Sequence, residues 1–370
     1  MGIDRMKIGV LTSSRADIGI YSALLRRMEN NPRVDGEIIA FGSHHSAEHG
    51  STIEKIRSNY SSKIHELHEM PNSDQPVAIS KSYGDTVRLF SDFWCKNHFD
   101  WVVCLGDRFE MSAAVQAAIP FGLKLAHIHG GETTSGAIDN IYRHQISLAS
   151  CRHFVSTELF AERVRQLTNS ESIWVVGAPA LEGLDDLDLP DWEEMHEHFD
   201  LPNDEYVLVT IHPETVAAEK NRDYAAIFFQ AIESLVSEVS FLITHTNSDT
   251  YNNFYNERAL DLKQRFSSKI HLQPSLGKLN YFRAITNASA MLGNSSSSII
   301  EAASFNQWAV NVGNRQGGRP QSGNIINVEF NTKQIVNATR NAISRKPFTG
   351  ENIYVRESPS LIILNNLLNE

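Results

Sequence analysis

The sequence predicts an α/β protein made of two doubly wound, Rossmann-like parallel-sheet domains facing a cleft, and three observations carry that expectation. Short β-rich runs alternate with longer amphipathic ones along most of the chain. The alternation breaks once, in the acidic, proline-bearing stretch LEGLDDLDLPDWEEMHEHFDLPNDE, and then restarts. With 370 residues, 41% of them hydrophobic, the chain is too long for one ordinary small domain and can fill two cores.

In order, KIGVLT is followed by an amphipathic run over 18–28, GEIIAF by 47–57, WVVCLG by 109–119 and LKLAHIH by 138–150. Each pair reads as strand then helix, the rhythm of a parallel sheet covered on both faces. After the break, YVLVTIH leads into 224–236 and VSFLITH into a helix near 251–266, while KIHLQ, ASAMLGN, WAVNV and NIINV supply further strands. The junction falls near residue 180, which gives domains over 1–180 and 181–356 and a terminal amphipathic helix over 357–370 able to pack back across either one. Apart from four serines at 295–298, there is no low-complexity segment and no repeat.

A net charge of −11 argues against general nucleic-acid binding, which needs a basic face to neutralise phosphates. Cys95, Cys104 and Cys151 are widely spaced and form no CxxC pair, so they read as reduced core thiols rather than a disulfide framework or zinc ribbon. No apolar run approaches the roughly 20 residues of a membrane span, and the chain reads as soluble and cytoplasmic.

Ligands of parallel α/β domains bind outside the carboxyl ends of the strands, so candidate residues are sought just after them. After the first strand, Ser13, Ser14 and the following helix start make an anion-friendly turn, with Arg15 as a cation and Asp17 placed to cap. A plain capped turn with a solvated arginine fits that segment equally well. Asp107 and Arg108 follow WVVCLG, and Glu110 reads as an acid favoured by a helix dipole. In LKLAHIH, alternation puts Leu123, Leu125, His127 and His129 on one face, so His129 emerges at the strand end. Gly130 and Gly131 then allow a sharp turn into Glu132, and Asp139 and Arg143 lie four apart on a helix. A metal site on His127, His129 and Glu132, a solvated Asp–Arg pair, and a catalytic cluster shared with Asp107 are all compatible with this stretch; clustering favours the last.

In the second half, Pro213 holds His212 extended at a strand end, where an imidazole can act as acid or base. His245 and Asn247 in THTNSD read as polar loop lining. LGNSSSSIIEAASF runs from a strand into a helix whose amides and serine hydroxyls can cradle a phosphate, with Glu301 about one turn in, where it can accept from ribose hydroxyls. Arg315 and Arg319, in the glycine-rich loop that follows, suit bidentate phosphate contacts. Together these segments favour a nucleotide diphosphate in the second domain.

SSRADIG, GDRFE, HIHGGE, IDNIYRH, IHPET, GNSSSSIIE and GNRQGGR, in this order from 13 to 319, resemble the hydrolysing UDP-N-acetylglucosamine 2-epimerases of sialic-acid synthesis. The resemblance implies a glycosyltransferase-B-like fold, with the C-terminal helix crossing back to the first domain. It also implies a homodimer or homotetramer, and conversion of UDP-N-acetylglucosamine and water to N-acetylmannosamine and UDP without metal, NAD or other cofactor. In that reaction an anti elimination removes the C2 proton as UDP leaves C1, and water then adds to the opposite face of the resulting 2-acetamidoglucal. By matching motif positions, Asp107, Glu132 and Asp139 would serve near C2, with Asp139 or Glu132 also activating water. His212 would meet the leaving phosphate, and Arg143 would orient substrate or an acid. Arg15, His44, Arg108, Asn294, Ser295, Ser296, Ser297, Glu301 and Arg315 would bind the nucleotide sugar, with Glu301 on the ribose. Several relatives read HIEGG where this chain has His129, so either His129 or Glu132 takes that acid–base role.

Four alternatives stay open. The same reaction on a UDP- or GDP-linked diacetamido-trideoxyhexose (N,N'-diacetylbacillosamine) of the legionaminic acid route would need a pocket for a C4 acetamido group. A glycosyltransferase on this fold would not need a C2 base. A non-catalytic nucleotide-sugar sensor and a non-hydrolysing epimerase complete the set.

Overall fold

The computed structural model describes residues 5–45, 52–71, 73, 75–133, 138–214, 218–244, 252–273 and 276–369. Two compact units divide the chain: Met1–Glu132, Asp139–Leu184 and Tyr354–Glu370 form the first, and Thr133–Ile138 with Asp185–Ile353 the second.

The first unit contains β1 (Met6–Thr12), α1 (Arg15–Glu29), β2 (Val34–Ala40), α2 (Ile53–Asn59), β3 (Lys63–Glu66), α3 (Pro76–Lys96), β4 (Trp101–Leu105), α4 (Phe109–Ala118), β5 (Leu125–Ile128), α5 (Asp139–Ala149), β6 (Arg152–Val155), α6 (Glu158–Thr168) and β7 (Ile173–Val175). Its seven strands run in the order β3-β2-β1-β4-β5-β6-β7, every pairing parallel. Period-two alternation sorts the side chains of each strand onto two covered faces. Val103 and Leu105 of β4 join Ile8, Val10 and Ile38 on one face, while Val102 and Cys104 join Leu11, Ile39 and the aromatic cluster of Phe90, Phe93 and Trp94 on the other. In α1 the buried Tyr21, Leu24, Leu25 and Met28 repeat at helical spacing and so cover the first face. Of the three cysteines expected in the core, only Cys104 is buried; Cys95, in the last turn of α3, and Cys151, in the turn before β6, are exposed.

The second unit contains α7 (Trp192–His198), β8 (Tyr206–Thr210), α8 (Asn221–Leu235), β9 (Ser240–Thr244), α9 (Asn252–Arg265), β10 (Ile270–Gln273), α10 (Lys278–Asn287), β11 (Ala290–Gly293), α11 (Ser296–Ile300), β12 (Ala309–Val312), β13 (Ile325–Val328) and α12 (Thr332–Ser344). Its six strands are again all parallel, in the order β10-β9-β8-β11-β12-β13. The last helix, α13 (Pro359–Leu368), belongs to the first unit, where Ile363, Leu364, Leu367 and Leu368 pack with α1. Glu182 pins its start, accepting from the Ser360 N–H and hydroxyl at 2.7 Å each.

Both units thus reverse strand order once, between β1 and β4 and between β8 and β11, and each reversal opens a crevice at the carboxyl ends of the strands. Gly293 makes the second one possible: with φ of 144°, an added Cβ would lie 1.9 Å from the Thr210 carbonyl oxygen. Gly293→Ala is therefore expected to cost about 3 kcal/mol or more, measured by urea or thermal unfolding.

Burial also sets an acid sensitivity. It holds His127 well below its ordinary pKa and pushes His153 down to about 4, so both stay neutral in the folded chain. Their neutral state contributes no penalty above the unfolded pKa of about 6.5; below it the unfolded chain takes up protons that the fold refuses, and stability falls as the pH drops toward 4. The slope reaches about 1.4 kcal/mol per pH unit for each histidine. Both ring nitrogens of His153 are buried without a hydrogen-bond partner, so His153→Leu is expected to flatten part of that slope in unfolding measured at pH 8 and pH 5.

Candidate active site

At the reversal of the first unit, the turn after β1 is organised by Asp17. Its Oδ2 accepts from the Ser13 N–H at 2.7 Å and the Ser14 N–H at 3.0 Å, and its Oδ1 from the Ser14 hydroxyl at 2.8 Å. Burial nevertheless raises the Asp17 pKa, outweighing those bonds and the nearby Arg108. Arg15, at the first position of α1, is left exposed. His44 is fully buried, its Nε2 and Nδ1 within 2.8 and 2.7 Å of the Thr12 and Thr52 hydroxyls. Glu110 does more than favour a helix dipole: it is buried and accepts from Arg108 Nε at 2.6 Å, which orients the Arg108 side chain and raises its pKa.

One buried guanidinium gathers the rest. Arg143, on α5, donates through Nη2 to Asp107 Oδ2 and through Nη1 to the His129 carbonyl at 2.5 Å, and Nη1 lies 4.0 Å from Glu132 Oε2. Its side chain is 4% exposed and that of Asp107 26%, so the pair spans from core to surface. The solvated Asp139–Arg143 pair considered from spacing gives way to this one. Asp139 opens α5, half-buried.

Alternation does not carry His129 out along the strand, because β5 ends at Ile128. His129 instead sits in the left-handed region at φ 64°, a conformation costing a non-glycine residue about 1–2 kcal/mol. Two backbone bonds impose it: the His129 N–H donates to the Phe154 carbonyl at 2.9 Å, and its own carbonyl takes Arg143. The chain then turns at Gly131, φ 74°, where an added Cβ would meet the Phe160 carbonyl oxygen at 2.5 Å. This turn returns Glu132 to His129, whose Nδ1 lies 2.7 Å from Glu132 Oε1. The same oxygen accepts from the Ser156 hydroxyl at 2.9 Å. Ser156 follows β6, has no motif around it, and is invisible to sequence reading.

His127 is a structural neighbour of this group. Its Nε2–H donates to the Gly106 carbonyl at 2.9 Å and its Nδ1 accepts from the Ser147 hydroxyl at 3.0 Å, which ties β5 to the residue before Asp107 and to α5. With both nitrogens engaged, it is no metal ligand, and among the described residues no three His, Cys, Asp or Glu side chains gather to hold a metal.

At the reversal of the second unit, Asn294 clamps His212. Its Oδ1 accepts from the His212 N–H at 2.7 Å and its Nδ2 donates to the His212 carbonyl at 2.9 Å. Being fully buried, Asn294 thus positions His212. Its carbonyl in turn accepts from Gln316 Nε2 at 2.8 Å and from Arg315 Nη1 at 3.4 Å. Gln316, buried and lodged between two predicted arginines, is another residue the motif reading passed over.

The serine segment forms a helix shorter than expected. α11 is five residues long, capped by Ser295, whose hydroxyl accepts from the Ser297 N–H at 3.3 Å, and Glu301 stands at its C-cap instead of one turn inside a longer helix. Ser297 donates to Glu301 Oε2 at 2.5 Å, and burial raises the Glu301 pKa against that bond. Tyr281, pushed up to about 12 by burial, adds its hydroxyl beside Thr210. Ser296 is half-buried at the helix start. Arg319 lines a polar cavity of about 340 Å³ with Asn311, Asn327 and Gln334. His245 and Asn247 lie outside the described residues.

Two parallel, doubly wound units, each with polar side chains gathered at its reversal of strand order, define a glycosyltransferase-B-like protein. The family model described as UDP-N-acetylglucosamine 2-epimerase matches residues 26–367, and the chain belongs to that family. It is 31% identical over 351 residues to the UDP-N,N'-diacetylbacillosamine 2-epimerase (hydrolyzing) of Legionella pneumophila, covering 94% of this chain and 92% of that one. It is 30% identical over 351 residues to the UDP-N-acetylglucosamine 2-epimerase of Neisseria meningitidis, covering 94% and 90%. The crystal structure of UDP-GlcNAc 2-epimerase from Neisseria meningitidis bound to UDP-GlcNAc shares the fold, with a TM-score of 0.83 at 18% identity over 99% of this chain and 100% of that one.

Arg143→Ala is expected to destabilise the first unit by about 3–5 kcal/mol, because it strands the carboxylates of Asp107 and Glu132 beside an empty site. Arg143→Lys, a point charge without the planar fork, should recover only part of the loss in urea unfolding.

Proposed function

We propose that the protein is a hydrolysing 2-epimerase that converts UDP-N-acetylglucosamine and water to N-acetylmannosamine and UDP. The observation that carries the reading is the group held by Arg143: Asp107, His129 and Glu132 gathered at the ends of β4 and β5. Proton removal and return at a sugar carbon need positioned acids and bases, whereas simple glycosyl transfer does not need a base for C2. Family membership supports the same chemistry.

In this reading the first unit carries the proton transfers and the second holds UDP. Ser295, Ser296, Ser297 and Arg315 take the diphosphate, and Glu301 the ribose. The anion attraction there rests on local amides, hydroxyls and the arginine, since the five residues of α11 sum to little macrodipole. Arg15 and Arg108 are the candidate cations of the first unit, and Asp139 is a candidate for activating water. His212, its backbone fixed by Asn294, meets the leaving phosphate. His44 and Asn294 act by shaping these segments.

A second reading keeps the reaction and changes the sugar to UDP-N,N'-diacetylbacillosamine. Similarity at 31% to a relative named for that substrate favours it about as strongly as the 30% relative favours the first.

Incubation with UDP-N-acetylglucosamine in D₂O, followed by proton NMR, tests the proposal. Free N-acetylmannosamine with deuterium at C2, together with UDP, is the expected outcome. UDP-N-acetylmannosamine would instead show a non-hydrolysing reaction. Turnover of the diacetamido sugar nucleotide alone would establish the second reading, and turnover of neither would overturn both.

A further inference from the structure

We infer that His129 and Glu132 act as one proton-transfer unit, with His129 the base of the elimination step, Glu132 its orienting carboxylate and Ser156 a positioning residue. This rests on the epimerase reading above and assigns roles within it.

The contacts favour one tautomer of His129. Glu132 Oε1 receives the Ser156 hydroxyl at 2.9 Å and lies 2.7 Å from His129 Nδ1. With Glu132 ionised in the proposed unit, the hydroxyl and Nδ1 both donate to its carboxylate, and the imidazole lone pair is left on Nε2. Among the described residues Nε2 has no hydrogen-bond partner, and it is not one of the buried unpaired atoms. The backbone is as constrained as the ring, since the His129 N–H and carbonyl are both bonded while its φ is 64°. A strained, over-determined residue presenting one free nitrogen is the expected form of a positioned base.

Glu132 is equally fixed. It is 2% exposed and Ser156 is fully buried. Gly131 before it admits no side chain, and Arg143 Nη1 stands 4.0 Å from its second oxygen. The order hydroxyl, carboxylate, imidazole is the orienting logic of a catalytic triad, with the carboxylate stabilising the imidazolium that forms.

In the step itself, the Nε2 lone pair takes the proton from C2. The C–H electron pair becomes the C1=C2 bond, and the C1–O bond breaks with its pair leaving on the diphosphate oxygen of UDP. In the second stage water supplies hydroxide to C1, and a proton reaches C2 from the opposite face. His129 is on the wrong face for that proton, so hydration of the glucal does not depend on it.

The test compares two substrates. With the nucleotide sugar turned over by the wild-type chain, UDP release reports elimination; with supplied 2-acetamidoglucal, formation of the free 2-epimer reports hydration alone. His129→Ala is expected to lose UDP release by roughly 10²–10⁴-fold while hydrating the glucal at close to the wild-type rate. Glu132→Gln should lower kcat by about 10²-fold or more with little change in KM. Ser156→Ala should lower kcat about tenfold with KM within about twofold, and Ser156→Thr, which keeps the hydroxyl, should restore it. Thermal melting and UDP affinity confirm that each variant is folded. A folded His129→Ala that keeps elimination, or loses both steps equally, overturns the assignment, as does a folded Ser156→Ala with wild-type kcat. A wild-type chain that turns over neither nucleotide sugar overturns the epimerase reading and this assignment with it.

Discussion

The first unit depends on a single buried cation. Arg143 reaches from α5 to Asp107 after β4 and to the backbone of His129 after β5, so three segments distant in sequence share one guanidinium. Desolvating such a charge is costly unless its donors are met, and here two of its nitrogens are met by a carboxylate and a carbonyl. Two acids, Asp107 and Glu132, therefore stand against the same guanidinium. The same contact, with the bond from the His129 N–H to the Phe154 carbonyl, holds the left-handed backbone of His129.

The second unit solves an equivalent problem with neutral groups. Asn294 satisfies both backbone groups of His212, and Gln316 satisfies the Asn294 carbonyl in turn. This chain of amides keeps the His212 backbone in place without a charge, in a segment where Gly293 already brings the ends of β8 and β11 into backbone contact. Beside this amide chain and the short serine-capped helix, Arg315 Nη1 reaches the Asn294 carbonyl.

Much was legible in the sequence because parallel strands are buried on both faces and read as apolar runs bounded by polar turns. WVVCL, YVLVT and SFLIT show this plainly. Helices such as α1 and α8 declare themselves through apolar spacing. β3, α3, β6, α6 and β7 were less readable, since short strands such as KIHE carry polar residues at the sheet edge and give no apolar run. Alternation misled at His129 and helix length misled at Glu301. At His129 the bonds to Phe154 and Arg143 hold a left-handed backbone where alternation expects an extended one, and at Glu301 α11 has already ended.

The sequence by itself determined the α/β class, the two-fold repetition of the strand–helix rhythm, and the ordered motifs that mark the family, because periodicity and motif order are properties of the chain in one dimension. Tertiary structure alone decided which charges meet. Arg143 belongs with Asp107, 36 positions earlier, and not with Asp139 on its own helix; Glu132 belongs with Ser156, 24 positions later; Asn294 belongs with His212, 82 positions earlier. The physical reason is that strand order in a doubly wound sheet, and not distance along the chain, sets which strand ends are neighbours.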